Sequence, residues 1–158
     1  MSSESVRIAD QLRRAFNGEA WHGPSVREVL EGVTAAAASE HPVAGAHSIW
    51  ELALHIEAWV EVSRQATGGI AMPSPIRQEM DWPAAGEGSN AWTDAKNRLF
   101  ATAERFAKTV EAFTEGRLRE TVPGRDFDFY FLFHGVVQHS LYHAGQIALL
   151  KKAAQRLA

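Results

Sequence analysis

The chain of 158 residues contains no cysteine. This absence excludes disulfide bonds, metal sites built from thiolates and a cysteine nucleophile. It fits a reducing compartment, although many exported proteins also lack cysteine. The first expectation is therefore a cytoplasmic protein whose reactive groups are not thiols of its own.

Long apolar runs are also absent. The longest, FDFYFLF at residues 127–133, is interrupted by Asp128, whereas a helix that spans a bilayer needs about 20 apolar residues. The N-terminal segment MSSESVRIADQLRRAF is charged and amphipathic, and it lacks the apolar core of a secretory signal peptide. We therefore expect no membrane partner.

An excess of positive charge is missing as well. The formal net charge is -3, which provides no basic face for a phosphate backbone, so we expect no nucleic-acid partner. Apolar residues make up 46% of the chain and charged residues 22%, as is typical of folded globular proteins. The length fits a single domain covering residues 1–158, with a sizeable core.

Four segments have the 3.6-residue periodicity of amphipathic helices. They are residues 3–18, 47–69, 91–116 and 126–158. Ser48 and Glu51 form the S-x-x-E capping box of the second helix, and Asp126 is the predicted N-cap of the fourth. Val6 is placed on the apolar face of the first helix. The pattern predicts an all-α protein, an up-down four-helix bundle.

Two connections carry further information. Between the first and second long helices, Ser25 with Glu28 forms another capping box, and Thr34 is positioned to cap a further short helix. Between the second and third long helices, residues 70–90 are rich in proline, glycine and serine. They show neither the 3.6-residue period of a helix nor the two-residue period of a strand. A loop of that length in a compact domain is usually functional or mobile.

Three of the seven histidines lie in the fourth helix, and two of them, His139 and His143, are four residues apart and thus on one face. Their stripe also contains Val136, Ile147 and Leu150, which predicts that both imidazoles face the core. A buried polar nitrogen without a partner costs about 1–3 kcal/mol. A metal ion held by both rings would remove that cost, whereas packed and hydrogen-bonded histidines are the alternative.

A third ligand would have to come from another helix. His55 is the best candidate because the apolar side chains of the second helix lie on its face, namely Leu52, Trp59 and Val62. His47 lies eight residues earlier, about 12 Å along the axis, and is expected to border the start of that helix. His134 is on the wrong side of the fourth helix to share the site with His139.

Four stretches of the sequence carry a family resemblance: HSIWELALHIEAW, LFHGVVQHSLYHAGQIALLKK, WHGPSVREVLEGVT and DWP. Together they resemble the DinB-like, or YfiT-like, metal-dependent enzymes over most of the chain. The resemblance implies a four-helix bundle, a homodimer, and a divalent metal bound by one histidine of the second helix and an H-x-x-x-H pair of the fourth. In this sequence those ligands are His55, His139 and His143.

Three histidines leave a coordination position open, which is typical of catalytic metal sites. Zinc or nickel is the first expectation, with iron or manganese as further options. Such a centre activates water, as in a hydrolase, or a small-molecule thiol, as in an S-transferase or isomerase that the resemblance implies. The expected partner is a small-molecule substrate, with a low-molecular-weight thiol as a second cofactor. The alternative is a non-catalytic metal-binding or stress-related dimeric bundle protein.

Four further residues are weaker candidates. Glu51 lies one turn before His55 and could act as a general base, although its capping box competes for it. Gln146 could hydrogen-bond a ligand ring or a substrate, and His22 lies in a loop that could border the site. Trp59 could wall a binding pocket or simply belong to the core.

Overall fold

A computed structural model describes residues 3–154. Its α-helices are α1 (Glu4–Asn17), α2 (Val26–Leu30), α3 (Ala35–Ser39), α4 (Ile49–Thr67), α5 (Gln78–Asp81), α6 (Gly88–Glu111) and α7 (Phe129–Ala154), with a 3-10 helix at Glu115–Arg119. Extended backbone pairs within the described residues only at an isolated bridge between Thr121 and Asp128. The predicted all-α class is confirmed.

The four long helices pack as a bundle. Both α1 and α4 contact α6 and α7, which places α1 and α4 at opposite corners. The short helices fill the connections, since α2 packs on α1 and α7 and α3 packs on α4 and α6. Among residues 3–154, no helix combines the length and the apolar character that crossing a bilayer requires.

An aromatic cluster packs α6 and the residues that follow it against the start of α7. The Phe129 and Phe133 rings lie 4.9 and 5.1 Å from the ring of Phe113, and Phe133 also lies 5.7 Å from Phe106. Phe131, which is two residues from each, is 63% exposed. Within α7 this run therefore divides between a buried and an exposed face, because Phe129, Phe131 and Phe133 follow a helical rather than a strand period.

Helix caps mostly follow the sequence prediction, since both capping boxes form as expected at Ser25–Glu28 and Ser48–Glu51. The predicted cap at Asp126 is wrong, because the backbone N–H of Phe131 donates to Oδ1 of Asp128 at 2.8 Å. This hydrogen bond holds the pKa of Asp128 below its usual range. Val6, expected on the apolar face of α1, is 36% exposed.

Residues 70–87, here called the strap, connect α4 to α6 and are more ordered than the sequence suggests. They contain α5, and α6 begins at Gly88 rather than at residue 91. The backbone N–H of Met72 donates to the carbonyl oxygen of Pro123 at 2.9 Å, and Arg125 donates to Pro73 at 2.7 Å. These bonds fasten the strap to the connection that precedes α7.

Candidate metal centre

His55 from α4 and the pair His139 and His143 from α7 lie side by side between the two helices. The Nε2 atom of His139 is 3.0 Å from that of His55 and 3.1 Å from that of His143. His55 and His143 are only 5% and 7% exposed. The three side chains that the sequence selected by face and depth are thus brought together, and they could hold a metal ion.

The far nitrogens of two of these rings are engaged by oxygen acceptors. Nδ1 of His55 lies 2.6 Å from the backbone oxygen of Asp81, and Nδ1 of His143 lies 2.6 Å from Oε1 of Gln146. Because a carbonyl oxygen can only accept, we assign the proton of each neutral ring to Nδ1. The lone pairs on both Nε2 atoms therefore point into the cluster.

Burial controls the protonation of the cluster. It lowers the pKa of His55, although the contact with Asp81 opposes this effect. Burial also lowers the pKa of His143, and it lowers that of His139 to about 4, where repulsion from the other two rings in their protonated form adds to the shift. All three imidazoles are consequently neutral near pH 7, the state in which imidazole binds a metal.

The donor set fits a divalent cation. Three Nε2 atoms face one another, and a single N–H on His139 could satisfy only one of its two neighbours. A cation would engage all three lone pairs at once. With zinc–nitrogen bonds of about 2.0–2.1 Å and tetrahedral angles, ligand nitrogens lie about 3.3 Å apart, close to the spacing of 3.0 and 3.1 Å observed here.

Two strap residues that sequence reasoning missed complete the surroundings of His55. The indole of Trp82 lies between two imidazoles, with its ring centroid 3.4 Å from that of His47 and 4.0 Å from that of His55. The Asp81 carboxylate accepts a hydrogen bond of 2.8 Å from Nε1 of Trp59. The only sequence signal was DWP, which contributed to the resemblance without indicating a role.

Two cavities flank the histidines. The first, of about 300 Å³, is called the apolar cavity and is lined by His55, Trp59, Ser63, Asp81, Phe127, Phe131, Leu132, Gly135, Val136 and His139. The second, of about 460 Å³, is called the polar cavity because His47, Tyr142 and Gln146 line it, although most of its lining is apolar; the other lining residues are Val43, Gly45, Ala46, Leu52, Trp82, His143, Leu149 and Leu150. Both have a histidine of the cluster in their wall, so small molecules could reach it from two sides.

The weaker candidates fall in different places. Gln146 contacts a ring of the cluster, and Trp59 walls the apolar cavity. The Glu51 carboxylate accepts from the backbone N–H of Ser48 at 2.7 Å and faces His41 at 3.2 Å, so it serves the capping box and lines neither cavity. His22 is exposed in the turn between α1 and α2 and also lines neither cavity.

Two further histidines, His134 and His47, lie outside the cluster. The ring of His134 packs against that of Tyr130 in a tilted arrangement, with the ring centroids 4.5 Å apart. His47 precedes the N-cap of α4, as its spacing predicted, and its Nδ1 lies 3.5 Å from Glu51. Its stacking on Trp82 was not expected, because it depends on where the strap lies.

Comparison with known proteins yields a family match. No curated protein and no solved structure matches the chain. The family model of the DinB superfamily matches residues 20–147, a span that includes all three histidines and the strap. Since that match covers most of the sequence, the chain belongs to the DinB superfamily.

Proposed function

We propose that this protein is a metal-dependent enzyme in which His55, His139 and His143 hold one divalent transition-metal ion. Zinc and nickel are the first metals we propose. The observation that supports it is the convergence of three Nε2 atoms, at 3.0 and 3.1 Å, beside two cavities. Three protein ligands leave a position for a reactant, as in catalytic zinc sites.

The chemistry follows from this arrangement. When bound, such a metal acts as a Lewis acid that activates water or a small-molecule thiol. The protein's own residues orient the ligands, because Asp81 and Gln146 accept the protons of the Nδ1 atoms and thereby fix the rings of His55 and His143. We accordingly propose a hydrolase or a thiol-dependent transferase or isomerase acting on a small molecule in the cytoplasm. Any thiol would have to come from a cofactor, since the chain has no cysteine.

A non-catalytic metal-binding role is the alternative. A structural metal site is typically closed by four protein ligands, whereas this group comprises three histidines and borders two cavities. The cavities favour the enzyme, because a site that only stores or senses a metal has no need of space for a substrate.

We also propose that the protein forms a homodimer through α7. Phe131, Tyr142 and Leu149 are 63%, 66% and 69% exposed. At 100° per residue they lie within about 20° of one another around the helix. These three large side chains share one face of a long helix with the exposed Gln138, and such a face suits packing against the same helix of a second copy.

Elemental analysis of the untagged protein tests the proposed metal site. We expect about one metal per chain in the wild type and its loss in His55→Ala and His143→Ala. His22→Ala is the matched control, because His22 is exposed and outside the cluster. Circular dichroism of each variant shows whether the fold persists. Retention of the metal in both cluster variants, or its absence from the wild type, would refute the proposal.

A further inference from the structure

The two cavities beside the histidines differ in the chemistry they offer a ligand. In the apolar cavity Ser63 and one carboxylate oxygen of Asp81 are already engaged within the protein. Oγ of Ser63 donates to the carbonyl oxygen of Trp59 at 2.7 Å, and Oδ1 of Asp81 accepts from Nε1 of Trp59 at 2.8 Å. Apart from the histidines and the second carboxylate oxygen of Asp81, what remains for a ligand is the surface of Trp59 and of Phe127, Phe131, Leu132 and Val136.

The polar cavity presents groups that can hold a hydrophilic molecule. His47, Tyr142 and Gln146 line it. Gln146 uses its oxygen for His143, which leaves the amide NH₂ for a ligand. His143 itself is in the wall, so a molecule in this cavity reaches the cluster at His143, whereas the apolar cavity reaches it at His55 and His139.

The charge of Asp81 has a role that does not call for a cationic ligand. Its Oδ1 lies 3.3 Å from Nδ1 of His55, so it acts next to the cluster. Three neutral imidazoles leave the charge of a divalent ion uncompensated, and a carboxylate behind one ligand reduces that excess. The body of a ligand in the apolar cavity can therefore be uncharged.

We infer that the site takes two reactants from two sides: an uncharged apolar body of the substrate in the apolar cavity, and a hydrophilic reactant in the polar cavity. This inference rests on the proposed function, and it names the substrate class of that site. The volume of about 300 Å³ suits a chain or ring of small-ligand size. A transfer reaction between an apolar substrate and a hydrophilic thiol uses both cavities. Hydrolysis would need only water from the polar cavity.

The chain offers a matched pair of variants that separates the two sides. Gly135 lines the apolar cavity, and a side chain added there meets no atom within 4 Å. Gly145 lies on the same helix, is equally open, and lines neither cavity. Gly135→Leu is therefore expected to place its side chain in the apolar cavity, and Gly145→Leu is its control for the change in helix propensity.

The first experiment uses metal-free protein and a series of neutral probes, from 1-butanol to 1-octanol, with binding measured by calorimetry. Each added methylene is expected to raise the affinity roughly fourfold while the chain still fits. Gly135→Leu is expected to weaken 1-hexanol binding about tenfold or more, and Gly145→Leu to leave it unchanged. Equal affinity in wild type and Gly135→Leu, no dependence on chain length, or tighter binding of hexylammonium than of 1-hexanol would overturn the inference.

The second experiment uses cobalt(II)-loaded protein and 2-mercaptoethanesulfonate as the hydrophilic probe, followed by the thiolate-to-cobalt absorption. Saturating 1-hexanol is expected to change the dissociation constant of 2-mercaptoethanesulfonate by less than twofold. Ala46→Leu, which narrows the polar cavity, is expected to weaken the binding of this thiol. Competition between the two probes would overturn the two-sided site. Failure to bind cobalt would refute the proposed function, and with it the proposed binding of a thiol in the polar cavity. The alkanol series would still decide whether the apolar cavity binds an uncharged apolar ligand.

Discussion

The indole of Trp82 stacks on the imidazole of His55, with the ring centroids 4.0 Å apart and the planes within 10°. Trp82 belongs to the strap and His55 to α4, so this contact couples an irregular segment to the proposed metal ligand. The ring also separates His55 from His47, which stacks on its other face. The strap is thus part of the site and does more than connect two helices.

Trp82→Ala should weaken metal binding. Removing the indole opens one face of His55 to water and frees the ring to rotate, and losses of outer contacts typically reduce metal affinity by about 10- to 100-fold. Competition with a chelator measures the change. Trp82→Phe, which keeps an aromatic face, should retain most of the affinity, and Trp21→Ala should change nothing, because Trp21 is fully exposed. Unaltered affinity in Trp82→Ala would show that stacking does not support the ligand.

Gln146→Leu should have a similar effect for a different reason. It removes the acceptor 2.6 Å from Nδ1 of His143, so the proton is no longer held on that nitrogen and the ring loses its orientation. We expect a loss of about 10-fold or more in metal affinity. Gln146→Glu retains an oxygen acceptor and should rescue binding, an outcome that a purely steric role would not produce.

Metal-free protein should lose stability as the pH falls from 7 to 5. Burial lowers the pKa of all three cluster histidines, that of His139 to about 4, whereas the unfolded chain titrates near 6.5. The unfolded state therefore binds more protons below pH 6.5, and the free energy of unfolding decreases as the pH falls toward the folded pKa.

Urea denaturation of chelator-treated protein at pH 7, 6 and 5 measures this dependence. His139→Leu removes one titrating group and should give a shallower slope, while His22→Ala should keep the slope of the wild type. A slope that does not change in His139→Leu would mean that this ring is not held neutral by the fold.

Gly124 is required where the strap meets the connection before α7. It has a φ of +79°, and a Cβ there would lie 2.7 Å from the carbonyl oxygen of Met72. Gly124→Ala should lower the free energy of unfolding by about 1–2 kcal/mol for the backbone conformation alone, and by more for the clash. Gly32→Ala is the control, because φ is +71° there but nothing lies within 4 Å. An equal decrease in the free energy of unfolding in the two variants would show that the strap moves away from the added Cβ without loss of stability.

The features that depend on local spacing could be predicted from the sequence. Helical periodicity gave the four long helices, and His139 and His143 share a face because they are four residues apart. His55 was placed by the apolar residues on its own helix. Asp126 and Asp128 are equally good N-caps by residue type, so only the path of the backbone decides between them, and the sequence alone led to the wrong one.

The features that depend on irregular backbone could not be predicted. The backbone oxygen of Asp81 accepts from His55, and any residue at that position could supply such an oxygen. The stacking of Trp82 depends on where the strap docks, and that is set by hydrogen bonds to the connection before α7 rather than by any pattern within the strap. The division into an apolar and a polar cavity arises only once α4, α7, the strap and the connections that precede α4 and α7 are assembled.

The proposed dimer gives the last prediction. Phe131 and Leu149, both on the exposed stripe of α7, should lie at the interface, so Phe131→Glu with Leu149→Glu should place buried charges there and shift the protein from dimer to monomer. Sedimentation velocity measures the change. Ile70→Glu is the matched control, since Ile70 is 58% exposed and lies outside α7. A monomeric wild type, or a double variant that remains dimeric, would mean that this stripe faces solvent and serves only the mouths of the two cavities.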